Sequence, residues 1–227
     1  MSGDRTGQAE SETSNPSCQG AVALACERVL DFRSMSTAHA AVVPLDPRFV
    51  RGLRRVEYDA LAETGAFDSE RVELLYGMVV TMTPKGPPHE SAVDRLNELL
   101  LLAFRGHARV RVGSPIAASD RSEPEPDIAV VPLGDYERAH PTEAYMVVEV
   151  SSSSLALDLG AKAQLYAETG IPVYWVVNLV DDVLEVRTDI VRGAYTRVTP
   201  FRRGERVTLP RLTDVTVLVD DVLPPLR

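Results

Sequence analysis

Apolar positions along this chain change their period several times, and the changes outline a domain of mixed class. Phe49, Leu53, Val56, Ala60 and Leu61 recur at helical spacing and predict a helix over 49–64, with Gly65 as its stop. Arg71 to Thr83 reads as two short strands around the turn Tyr76-Gly77, and 84–88 reads as a loop. His89 to Arg105 is the clearest helix. Val93, Leu96, Leu99, Leu100, Ala103 and Phe104 form one broad apolar stripe, while Asp94, Arg95 and Glu98 face away. Strand-like pieces follow at 109–113, 126–131 and 145–151. A second helix is expected over 154–169, closed by Gly170 and Pro172. Val173 to Val177 is strongly apolar and is expected at the centre of a sheet. Further strands are predicted at 182–188, 195–199 and 215–219.

The strand-helix-strand order over 145–177 implies a parallel pair with a crossover. The expected class is α/β (α+β), a mixed sheet flanked by helices. Residues 1–47 are rich in Ser, Thr, Gly and Ala with little periodicity, so they are expected to form a disordered tail before a domain over 48–227. A short helix over Ala21 to Leu30 would be marginal in water.

Composition narrows the function. No apolar run reaches the ~20 residues of a membrane helix, and no basic-then-apolar signal opens the chain, so a cytoplasmic protein with no membrane partner is expected. Cys18 and Cys26 fall in the tail, outside any zinc-ligand spacing, and make no disulfide framework. The formal net charge of −9 counts against nonspecific coating of duplex nucleic acid. Of the 24 basic residues only Lys85 and Lys162 are lysines and 22 are arginines, so a lysine is the informative cation here.

Two carboxylates stand where a simple core would not place them. Asp127 opens the apolar run Ile128 to Val131, and Glu149 lies inside Met146 to Val150. A carboxylate within an apolar strand costs several kcal/mol unless it is paired, protonated or bound to metal. Two of them on neighbouring strands would converge at one sheet end, the oxygen donor set that Mg²⁺ takes. Lys162 lies 13 residues after Glu149 in the following helix, on one face with Asp158 and Tyr166, and can reach back toward the strand end.

These residues carry a resemblance. Pro126-Asp127, Glu149-Val150-Ser151, Asp158 to Lys162 with Tyr166, and Gly170 to Trp175 resemble the Uma2 family, restriction-endonuclease-like proteins of the PD-(D/E)xK nuclease superfamily. Val72 to Gly77 resembles the family's hairpin, and His89 sits where a histidine commonly opens the next helix. The resemblance spans roughly 50–222. It implies a Mg²⁺- or Mn²⁺-dependent endonuclease acting on DNA and admits a homodimer. Asp127, Glu149 and the carbonyl of Val150 would hold the metal, with Lys162 assisting. Glu73 would be a further acidic member, and His89 a further catalytic candidate. Ser151 stands where the superfamily carries a lysine, which makes Lys162 a migrated equivalent.

Plainer readings stand beside these. Asp127 would cap a strand, Glu149 would pair with one of the arginines, and Lys162 would be a solvated partner of Asp158 that arginine replaces freely. Glu73 would lie on a wet strand face, His89 at a helix start, and Tyr166 in the core. At the level of function, the alternatives are an inactive nuclease-fold binding module and a metal-dependent hydrolase of a small phosphate ester.

Overall fold

The computed structural model describes residues 49–225. The tail and its Ala21 to Leu30 segment lie outside the described residues. The elements are α1 (Arg55–Glu63), β1 (Val72–Leu75), β2 (Met78–Thr81), α2 (Pro87–Ala103), β3 (Arg109–Val112), β4 (Ile128–Val131) and β5 (Met146–Ser151). Next comes one run of helix, with α3 (Leu155–Leu157), a π-helical turn (Asp158–Lys162) and α4 (Ala163–Glu168). The chain continues through β6 (Tyr174–Asn178), β7 (Val183–Val191), β8 (Ala194–Phe201), β9 (Arg206–Leu209), β10 (Leu212–Leu218) and α5 (Val219–Val222).

Strands β3 to β8 form one mixed sheet in sequence order. Only β5 and β6 run parallel, because only they are joined by the long helical connection; the other neighbours in this sheet are antiparallel. Strands β1 and β2, and β9 and β10, make two separate hairpins. The apolar runs of β4, β5 and β6 are continuous because both faces of the sheet are covered. Ile128, Val130, Met146, Val148, Val150, Trp175 and Val177 pack on one face with Leu96, Leu100 and Phe104 around α2, and with the β9–β10 hairpin and α5. Ala129, Val131, Val147, Tyr174 and Val176 pack on the other with Ala163 and Tyr166 of the second helical run.

This alternation fixes the site. Strand side chains have period two. Glu149 and Ser151 therefore share a face with Val147, and Asp127 shares a face with Ala129 and Val131. Ile128 is paired with Val148, so the next step along the ladder sets Asp127 beside Glu149. Both carboxylates lie on the helix-covered face, at the same end of the sheet.

Three expectations change. The first helix begins at Arg55, because the preceding residues are extended: Leu53 N–H donates to the Gly77 carbonyl (2.8 Å) and Arg55 N–H to that of Asp120 (2.7 Å). Of its apolar positions, Val56 and Leu61 are exposed and Tyr58 is the buried one. Strand β9 was not expected, and β10 begins at Leu212 and gives way to helix at Val219. The hairpin turn is as expected, with Tyr76 and Gly77 both at positive φ (53° and 83°), the conformation that twists a two-residue turn to match its strands. Among the described residues no helix is long and apolar enough to cross a membrane.

The hairpin of β1 and β2 is pinned by the segment 119–125. Leu74 and Glu123 exchange backbone hydrogen bonds (3.3 and 2.7 Å). The Glu123 side chain is buried, with Oε2 lacking a hydrogen-bond partner and Arg55 Nη1 3.6 Å away. Burial and the neighbouring Asp59 push its pKa up to about 7 against the pull of Arg55. A carboxyl with a raised folded-state pKa costs nothing while it is protonated in both states; the cost grows as pH rises from the ordinary value of 4.5 to about 7 and stays constant above that. Glu123→Gln should therefore gain stability relative to wild type, by about 1–2 kcal/mol, between pH 5 and pH 8. Urea unfolding at the two pH values measures this. A pH-independent difference between the two proteins would contradict it.

Candidate active site

Asp127 sits just where the β4–β5 ladder stops. Its Oδ2 accepts the Val150 N–H at 2.7 Å, so the side chain replaces a backbone acceptor. Its own N–H approaches Glu149 Oε2 at 3.3 Å. Two further side chains complete its shell. His89 Nε2, from the first turn of α2, lies 3.0 Å from Oδ2, and Lys85 Nζ lies 2.7 Å from Oδ1. Burial opposes ionisation of Asp127, but His89 and Lys85 together outweigh it and bring its pKa down to about 2.

Glu149 is enclosed on the helix side. Its Oε1 accepts hydrogen bonds from Lys162 Nζ (3.0 Å) and Tyr166 Oη (2.8 Å). Burial pushes its pKa well up against the pull of Lys162, and Asp127, Asp158 and Glu73 push the same way. Lys162 is the last residue of the π-helical turn and is 4% exposed, which excludes a solvated helix position. Its ammonium lies 3.0 Å from Glu73 Oε1 and 4.0 Å from Asp158 Oδ1 as well as on Glu149. Burial would lower its pKa, but Glu149, Glu73 and Asp158 more than offset this and hold it above the ordinary lysine value.

The remaining members are positioned by local chemistry. Glu73 is buried on β1, and its Oε2 accepts the Glu125 N–H at 3.1 Å, which joins the hairpin to the strand entering Asp127. Asp158 Oδ2 accepts both the Ser151 and Ser154 hydroxyls (2.6 and 2.7 Å). Tyr174 Oη donates to the Asp158 carbonyl at 3.0 Å.

Glu73, His89, Asp127, Glu149, Val150 and Lys162 all line one cleft of about 300 Å³. Each residue singled out in the sequence is thus brought to one place. Two members were not singled out as site residues. Asp158, read from the sequence only as sharing a helix face with Lys162, is buried. Lys85, in the loop before α2, also lines the cleft, and its signal was present: both of the chain's lysines sit here.

The architecture and the site invite comparison with known proteins. The model of the Uma2 family, described as putative restriction endonuclease, matches residues 55–220. The chain belongs to the Uma2 family. Its fold is also that of a solved structure, a putative nuclease belonging to DUF820 from Anabaena variabilis. That likeness has a TM-score of 0.56 at 13% identity and covers 67% of this chain and 89% of the other. No curated protein matches the chain. For this Uma2 chain, the family match spans every site residue from Glu73 to Lys162.

The donor set can be weighed against a divalent cation. Among the described residues no three Asp, Glu, His or Cys side chains stand together as a ready cage. Mg²⁺ does not require one, since it keeps several waters and binds through one or two carboxylates. Asp127 and Glu149 line the same cleft, and Lys85 already places a cation 2.7 Å from Asp127. The residues present fit a hard cation on that ground.

The Lys162 ammonium offsets Glu73, Glu149 and Asp158 with almost no help from water. Lys162→Met should lower stability by about 3–5 kcal/mol, because it leaves three buried carboxyl groups without their shared counter-ion. Chemical denaturation measures the loss. A change under about 1 kcal/mol would mean that Lys162 is solvated after all.

Proposed function

We propose that this cleft is the active site of a Mg²⁺- or Mn²⁺-dependent endonuclease that hydrolyses DNA phosphodiester bonds. The observation that carries the reading is the pairing of Asp127 with Glu149 at one sheet end, inside a cleft and ringed by lysines. Asp127, Glu149 and the backbone carbonyl of Val150 would hold the cation. When bound, such a cation polarises a phosphate oxygen and lowers the pKa of a coordinated water.

The chain's own residues do the rest. Val150 N–H and His89 fix the Asp127 carboxylate in one orientation. Lys162 and Tyr166 aim the Glu149 carboxylate by donating to the same oxygen, which leaves Oε2 turned toward Asp127. Glu73 and Asp158 hold the ammonium in turn. Lys162 is thereby a positioning residue in this reading.

A second reading has an observation of its own. Among the described residues no arginine lines the cleft, although the chain has 22, and a duplex is usually gripped through several basic phosphate contacts. That favours a small phosphate ester.

One assay separates these. Plasmid, single-stranded DNA and bis(p-nitrophenyl) phosphate are incubated with full-length protein and Mg²⁺ or Mn²⁺. The expected result is metal-dependent DNA cleavage that falls at least about 10²-fold in Asp127→Ala and in Glu149→Gln. Hydrolysis of the small ester alone would favour the second reading. Cation binding without hydrolysis of any of the three would favour a binding module.

A further inference from the structure

The two lysines of this cleft are held in opposite ways. Lys162 is enclosed, shares its ammonium among three carboxylates, and is delivered by helix. Among the described residues Lys85 has one ion-pair partner, Asp127 Oδ1 at 2.7 Å, and its side chain is 18% exposed against 5% for Lys162. It projects from the irregular stretch between β2 and α2, whose neighbours Pro84, Gly86 and Pro87 are exposed. The residue borders two adjoining hollows, the active-site cleft and a second one lined by Arg71, Thr83 and Glu90. A long side chain with one anchor and open space on either side can release that anchor without unfolding anything.

Asp127 has just two carboxylate oxygens. Oδ2 is committed to the Val150 N–H and to His89. Among the described residues Oδ1 is held by Lys85 alone, and it is the oxygen left for a cation. We propose that Lys85 is a displaceable counter-ion: its ammonium holds the Asp127 oxygen that a divalent cation claims, and once released it contacts a non-bridging phosphate oxygen of the substrate. It rests on the reading of the cleft as a cation-dependent phosphodiester site. The role suits lysine, a compact point charge on a flexible stem, better than arginine, whose planar fork would span both carboxylate oxygens. It also gives the cleft a substrate-facing cation, which Lys162 is too enclosed to be.

The test is calorimetric titration of full-length protein with Mn²⁺ in the absence of substrate, comparing wild type with Lys85→Met. A competitor that occupies the binding oxygen most of the time weakens the apparent affinity by that fraction. Folded Lys85→Met should therefore bind Mn²⁺ about tenfold more tightly, while its DNA cleavage rate at saturating Mn²⁺ falls about 10²-fold. A residue with a merely structural role would weaken Mn²⁺ binding when removed. Equal or weaker affinity in Lys85→Met, with wild type binding normally, overturns the exchange but leaves the cation site standing. Absence of Mn²⁺ binding in both proteins overturns the exchange and the cation-dependent reading together. Should Lys85→Met not fold, Lys85→Gln removes the charge while keeping a polar end on a shorter stem, and the same comparison applies.

Discussion

The Lys162 ammonium lies 3.0 Å from Glu73, 3.0 Å from Glu149 and 4.0 Å from Asp158, nearly cut off from water. Each of those carboxylates would cost several kcal/mol if buried alone. Each also belongs to a different element: Glu73 to β1, Glu149 to β5 and Asp158 to the π-helical turn. Charge neutralisation at one atom therefore dictates how three pieces of chain meet. The β1–β2 hairpin, which shares no ladder with the main sheet, is held over the end of β5 partly by this contact and partly by the Leu74–Glu123 pairing. Asp127 is fixed by a parallel set of contacts, with Lys85 and His89 tying the start of α2 to the start of β4.

Such a cluster is a poor way to gain stability. Well-packed apolar residues of similar volume usually serve as well or better than buried ions. The rest of this domain follows that rule: the cores on the two sheet faces are made of Val, Ile, Leu, Ala and aromatic residues. The cluster of buried titratable groups around Asp127 and Glu149 stands at one sheet end, in the wall of a cleft, and that placement calls for a functional explanation more than a structural one.

Much of this was legible from residue order. The stripe of α2, the continuous apolar strands β4, β5 and β6, and the parallel pairing across the second helical run all follow from periodicity and connection length. The carboxylates Asp127 and Glu149 stood out because they interrupt apolar strands. Other features left weaker traces. Residues 50–54 fall within a helical apolar pattern, yet backbone pairing of Leu53 with Gly77 keeps them from being helical, and a tertiary hydrogen bond has no local signature. Burial of Asp158 depends on the hydroxyls of Ser151 and Ser154, and a serine run reads equally well as a loop. Lys85 lies in a proline-rich loop where no period points inward; only the rarity of lysine in this chain marked it.

In the proposed function Asp127 and Glu149 form a cation-binding pair and are not simply neutralised by their lysines. Anomalous scattering from a crystal of the full-length protein grown with Mn²⁺ addresses it without any assumption about substrate. A strong peak is expected between the two carboxylates, about 2.1 Å from an oxygen of each, with Lys162 still on Glu149 and Lys85 moved off Asp127. Density at millimolar Mn²⁺ that shows Lys85 still seated on Asp127, with no peak between the carboxylates, would contradict it.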